Sequence, residues 1–181
     1  MKLEHGVKSM QYQVSYLSPN GHAQKVAEAI ADILPAETKV VDLQEGCQVF
    51  AQTHIIGYEL NEASLHAVPY AIMELLNELD GCQIVLFVTS PFQVDANAKD
   101  IMEDRIAPFI PEDSEYEGLF LCAGQASDSF LRAVRKEAEL HPENAQAKAR
   151  LARCEESIGH PDEDDLMRVC SFIADALNLE F

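Results

Sequence analysis

Polar and apolar residues alternate over residues 11–17 (Gln-Tyr-Gln-Val-Ser-Tyr-Leu), the period of a half-buried strand. The turn cluster Ser18-Pro19-Asn20-Gly21 follows. From residue 22 to 34 the period lengthens to that of a helix, with Val26, Ile30, Ile33 and Leu34 on one face and Ala27 beside them, and Pro35 ends it. Residues 38–43 and 53–58 read as two further short strands. Val68, Ile72, Leu75, Leu76 and Leu79 mark an amphipathic helix around and after Pro69. Residues 84–88 (Ile-Val-Leu-Phe-Val) form a continuous apolar run between Gly81 and Pro91, as expected of a strand covered on both faces. Residues 96–110 carry a weak helical pattern, residues 118–123 make a fifth strand, and helical patterns span about 128–140 and 144–158.

The last helix is the best marked. Pro161 opens it and Asp162, Glu163, Asp164 and Asp165 fill its first turn, where carboxylates complement the helix dipole. Leu166, Val169, Cys170, Ile173, Ala174 and Leu177 form its apolar stripe. The helix end accounts for the acidic run better than a metal site does, because consecutive carboxylates point around the helix rather than converge. Strands thus alternate with helices along the chain, which predicts an α/β fold, a parallel sheet with helices on both faces. Residues 40–41 should lie in an edge strand, being short and flanked by Lys39 and Asp42. Residues 1–10 read as an N-terminal extension and 11–181 as a single domain.

Charge changes the picture most. The 181 residues include 31 acidic and 13 basic side chains, a formal net charge of −18. Such a surface repels nucleic acid and anionic lipid, and suits either solubility alone or a partner with a basic face. No apolar run approaches the roughly 20 residues that span a bilayer, and no secretory signal opens the chain. Five scattered cysteines without a C-x-x-C pair argue against a zinc knuckle or dithiol motif and suit a reducing cytoplasm. Cys82 and Cys122 sit at or within apolar runs and read as buried thiols. No Ser-His-Asp or Cys-His spacing and no G-x-S-x-G elbow occurs, so the six histidines read as structural or surface residues, with His22 the exception.

The candidate chemistry lies after the first strand. In a doubly wound sheet, ligands bind beyond the carboxyl ends of the strands, where the strand order reverses. Here the first strand runs through Ser18-Pro19-Asn20-Gly21-His22-Ala23 directly into a helix, whose first amides and dipole can hold a phosphate without a lysine. Gly21 allows close backbone approach, Ser18 and Asn20 can donate side-chain hydrogen bonds, and His22 can add another. The same residues are equally consistent with a plain turn and helix cap. The loop is neither G-x-G-x-x-G nor a lysine-bearing P-loop.

Residues 16–30, from Tyr16-Leu17-Ser18-Pro19-Asn20-Gly21-His22-Ala23 into a helix carrying Ala27 and Ile30, resemble the strand, S/T-x-T-G-N-T loop and helix of flavodoxins. Ile55-Ile56-Gly57-Tyr58, the run 118–125 containing Cys122-Ala123-Gly124, and His160-Pro161-Asp162-Glu163-Asp164-Asp165-Leu166 are similar to one bacterial branch of flavodoxin-like proteins. The resemblance implies a three-layer, doubly wound, five-stranded parallel sheet in order 2-1-3-4-5 and a non-covalent FMN site. Ser18, Asn20, Gly21, His22 and Ala23 take the phosphate-loop positions. Tyr58 takes the aromatic position after strand three, and Thr89, Ser90 and Phe92 lie in the second isoalloxazine loop, so that Tyr58 or Phe92 would stack on the flavin. The implied function is an electron carrier serving a partner redox enzyme with a basic docking surface. An FMN-dependent NAD(P)H reductase fits less well, since no residue set suited to a nicotinamide stands out. Asn20 and Ala23 replace the usual threonines, His22 replaces the asparagine, no tryptophan is present, and Pro91 brings no N–H to its loop. These departures keep open an alternative, a cofactor-free flavodoxin-like module acting through protein contacts.

Overall fold

The apolar run 84–88 lies at the heart of strand β4 (Gln83–Ser90), buried along nearly its whole length. The computed structural model describes residues 10–46, 48–49, 51–92 and 96–180. Around β4 a five-stranded sheet is built from β1 (Met10–Leu17), β2 (Lys39–Asp42), β3 (Ala51–Glu59) and β5 (Glu115–Ala123). All neighbours are parallel and the order is β2-β1-β3-β4-β5, as expected. The helices are α1 (His22–Asp32), α2 (Tyr70–Leu76), α3 (Ala96–Ile106), α4 (Asp128–Leu140), α5 (Ala145–Glu156) and α6 (Glu163–Ala176). Strand β1 starts at Met10, which pairs with Ala51, one residue before the boundary drawn from the sequence. Residues 1–9, Cys47 and the segment 93–95 lie outside the described residues.

The pleat sorts alternate strand residues onto two faces. Val14, Ile55, Val85, Phe87 and Cys122 pack under α1 (Val26, Ala27, Ile30) and α6 (Val169, Ile173). Ile56, Tyr58, Ile84, Leu86 and Leu119 pack under α2 (Ile72, Leu75, Leu76) and α3 (Met102, Ile106). Within the first face Gly57 is paired with Phe87, and the ring lies where a side chain on Gly57 would go: an added Cβ would sit 1.9 Å from Phe87 Cζ. A smaller cluster lies under the α4–α5 hairpin, where Phe92 meets Leu131, Val134 and Cys154.

Both outer strands begin with polar residues. Lys39 and Val40 of β2 are exposed. In β5, Glu115 is exposed, and the ladder to β4 slips between Ile84 and Val85. Tyr116 pairs with Ile84 and Gly118 with Val85, leaving Glu117 as the extra residue of a β-bulge, with Gly118 at φ 122°. The strand therefore begins three residues before the Gly118 start read from the sequence, because its polar first turn lacks the apolar signal.

Cys82 and Cys122 are buried, as expected, and among the described residues Cys82, Cys122, Cys154 and Cys170 are free thiols. Burial pushes the Cys122 thiol up to about 12, leaving almost no thiolate at neutral pH. His54 is fully buried in β3. Its Nε2 lies 2.9 Å from the Ala51 carbonyl oxygen and donates to it, while Nδ1 has no hydrogen-bond partner. Burial lowers its pKa below the ordinary 6.5, against the opposing pull of that carbonyl. The unfolded chain therefore takes up a proton below pH 6.5 that the folded chain resists, so stability is full above pH 6.5 and declines as the pH falls below it. Urea unfolding should show a lower midpoint at pH 5 than at pH 7.5. The difference should shrink in His54→Leu; an unchanged difference would place the titration elsewhere.

Candidate functional site

The loop after β1 is shaped by two residues. Gly21 sits at φ 86° at the N-cap of α1, a left-handed conformation that glycine adopts without strain. Ser18 Oγ accepts from the Gln24 amide at 2.9 Å, and the Gly21 amide reaches Ser18 O at 3.4 Å. The amides at the start of α1 are thereby turned toward the end of β3. A β carbon on Gly21 would meet no protein atom within 4 Å, so within the chain itself it is the left-handed backbone that favours glycine there.

What those amides meet is a carboxylate of the same chain. The register sets Leu17 beside Tyr58, so Glu59, the last residue of β3, comes abreast of Ser18. Glu59 Oε1 accepts from Ser18 Oγ at 2.5 Å, the His22 amide at 2.7 Å and the Ala23 amide at 3.1 Å. Oε2 accepts from the Asn20 amide at 2.9 Å and Asn20 Nδ2 at 3.1 Å. Five donors thus converge on one carboxylate at a helix N-terminus, with no lysine or arginine among them. Ser18, Asn20, His22 and Ala23 supply these donors, His22 through its backbone amide.

The expected ring-binding residues lie elsewhere. Tyr58 is 0% exposed and packs in the core beside α2 and α3. Strand β3 continues through Glu59, so Tyr58 is an in-strand residue whose side chain follows the pleat inward. Its stacking role is corrected. Phe92 is 9% exposed; it packs at 5.9 Å between ring centroids on Phe130, and Arg153 lies 5.4 Å over its ring. Its stacking role is corrected likewise, since the α4–α5 hairpin claims the ring. Thr89 and Ser90 are buried and tie loops together: Thr89 O accepts from Leu60 N at 2.9 Å and Ser90 O from Gly124 N at 2.6 Å. The crevice between Asn20, His22, Glu59, Glu62, Ser90 and Pro91 holds about 10 Å³, roughly the space of one water. The loop suits an anionic group, and the crevice directly beside it among the described residues is small.

A much larger cavity, about 640 Å³, runs along β5 past Leu121, Cys122, His160, Asp165 and Arg168. His160 Nδ1 lies 2.5 Å from Asp165 Oδ2 and 3.7 Å from Asp162. The two aspartates form the reciprocal capping box of α6. Contrary to the expectation that this acidic run splays outward, Asp162 and Asp165 turn toward each other and His160; the helix end uses both.

The comparisons bear on the whole chain. Residues 13–174 match the model of the flavodoxin domain family. The chain belongs to that family. A curated relative, the flavodoxin-like domain-containing protein BilS of Clostridioides difficile, is 24% identical over 168 residues, covering 90% of this chain and 94% of its own. Among solved structures, oxidised flavodoxin 2 from Bacillus cereus superposes with a TM-score of 0.55 at 15% identity, over 95% of this chain and all of that one. A short-chain flavodoxin associated with a non-canonical PDU bacterial microcompartment gives 0.58 at 13% identity, over 93% and 97%. These likenesses establish the flavodoxin fold. Within that fold Glu59 is the site residue that sequence reasoning missed. The signal available was positional: in the order 2-1-3-4-5, the residue after Tyr58 must lie beside the loop after Leu17. No helix among the described residues is long and apolar enough to cross a membrane.

Proposed function

We propose that this flavodoxin-family protein is an FMN-binding electron-transfer protein that serves a partner redox enzyme. The observation that carries this reading is the set of five donors converging on one anion at the switch point of the sheet. Ser18, Asn20, His22 and Ala23 would hold the phosphate of FMN, and FMN when bound supplies the electron-accepting chemistry. The chain's own part is to present oriented amides at a helix N-terminus, while the net charge of −18 favours a partner with a basic docking face and makes that encounter salt-sensitive. A cytoplasmic setting is in keeping with the free thiols Cys82, Cys122, Cys154 and Cys170.

A second reading is favoured by one observation, the 10 Å³ crevice beside the loop: a cofactor-free flavodoxin-like module working through protein contacts. Titrating the purified protein into FMN and following the quenching of flavin fluorescence separates the two. The electron-carrier reading expects saturable binding at micromolar concentration and release of yellow flavin on heating. Absence of binding at that concentration overturns it in favour of the cofactor-free module.

A further inference from the structure

We propose that Glu59 is a built-in competitor for the anion site, so that a phosphate group enters the β1–α1 loop only by displacing this carboxylate. Three observations carry the proposal. The first is donor accounting. Ser18 Oγ, both nitrogens of Asn20 and the amides of His22 and Ala23 already end on Glu59. A hydrogen given to one acceptor at good geometry is lost to a second, so the loop cannot serve Glu59 and a phosphate together.

The second is charge. No basic side chain is among the donors; the Lys25 ammonium of α1 donates to the Pro161 carbonyl instead. A phosphate entering beside a retained Glu59 would set like charges within a few ångströms with only helix amides between them. Glu62, a second carboxylate, lines the same crevice; its Oε1 is taken up by the Ser127 amide at 2.6 Å.

The third is the route of departure. Glu59 is half-buried, and the backbone that follows it is held by the bond from Leu60 N to Thr89 O. Rotation of the side chain toward solvent empties the loop without unpairing the end of β3. Glu59 therefore completes the loop's hydrogen bonding from within and lowers its affinity for any outside anion.

The inference rests on the FMN reading in one arm of its test only. Wild type, Glu59→Gln and Glu59→Ala are titrated with FMN, with riboflavin, which lacks the phosphate, and with inorganic phosphate. Flavin binding is read by fluorescence quenching, and phosphate binding by the ¹H–¹⁵N shifts of the His22 and Ala23 amides. Both variants should bind FMN at least about tenfold more tightly than wild type, with riboflavin affinity unchanged. Phosphate should shift the two amides in the variants at concentrations that leave wild type unmoved. If Glu59→Ala loses its dispersed spectrum, the near-isosteric Glu59→Gln decides.

Equal or weaker anion binding in the folded variants overturns the proposal, as does a riboflavin gain matching that of FMN, or phosphate-silent amides in all three proteins. If no protein binds flavin yet phosphate moves the amides only in the variants, the competitor stands and the electron-carrier reading falls. If wild type binds FMN and the variants bind it no better, the electron-carrier reading stands and the competitor falls.

Discussion

Replacing Phe87 by alanine is expected to destabilise the protein by about 3–5 kcal/mol, the largest loss from any single site considered. Phe87 is fully buried near the middle of β4, in the cluster closed by α1 and α6. Its neighbours are themselves fixed: Val85 follows the same pleat, Ile55 stands on β3, and Ile30 and Ile173 come from the covering helices. None can move into the space of a ring without unseating a helix, so the cavity stays open and its cost adds to the lost burial. Since whole domains are stable by only about 5–15 kcal/mol, a substantial unfolded fraction is expected at elevated temperature. Chemical denaturation measures it directly; a loss below about 1.5 kcal/mol would mean that the helices collapse onto the gap.

Gly57→Ala tests the same contact from the opposite side. A methyl group on Gly57 would lie 1.9, 2.0 and 2.4 Å from three Phe87 ring carbons, far inside van der Waals contact. The ring cannot swing away, because it is buried on every side, so the strain passes into the backbone pairing of Gly57 with Phe87. Overpacking of this kind costs about 1–3 kcal/mol or more. The two substitutions should couple: Gly57→Ala combined with Phe87→Leu should be more stable than Gly57→Ala alone, since the smaller side chain admits the methyl. Additive losses in the double variant would show that Gly57 answers to backbone conformation rather than to the ring.

The layout of the sheet could be read from the sequence because it follows from short-range periods: the alternation of residues 11–17, the apolar run 84–88 and the 3.6-residue stripe through Val169 and Ile173 each identify an element without reference to the others. The loop after β1 was legible as a turn and helix start for a similar reason, since Ser18 to Ala23 are contiguous. Tyr58 and Phe92 were misplaced because their environments are set at long range. Whether Tyr58 ends a strand or continues it depends on pairing with Val88 of β4, and Phe92 is claimed by Phe130 and Arg153, 38 and 61 residues further on. Glu59 was invisible for a related reason. A lone carboxylate after a strand carries no local signature, and its meaning appears only when β1 and β3 lie side by side.

The bulge that places Glu117 out of register in β5 has a consequence for how copies of the protein meet. A parallel sheet with open outer strands offers unpaired N–H and C=O groups to any passing chain, and flat, apolar margins invite stacking into larger aggregates. Here one margin is the four-residue β2, with Lys39 at its start and Asp42 at its end. The other is twisted by the bulge at Gly118 and carries Glu115 and Glu117. Two such margins brought together would oppose short against kinked and, on the β5 side, acid against acid. Both features of the margins, the shortness of β2 and the bulge and acids of β5, disfavour strand addition between molecules at high concentration.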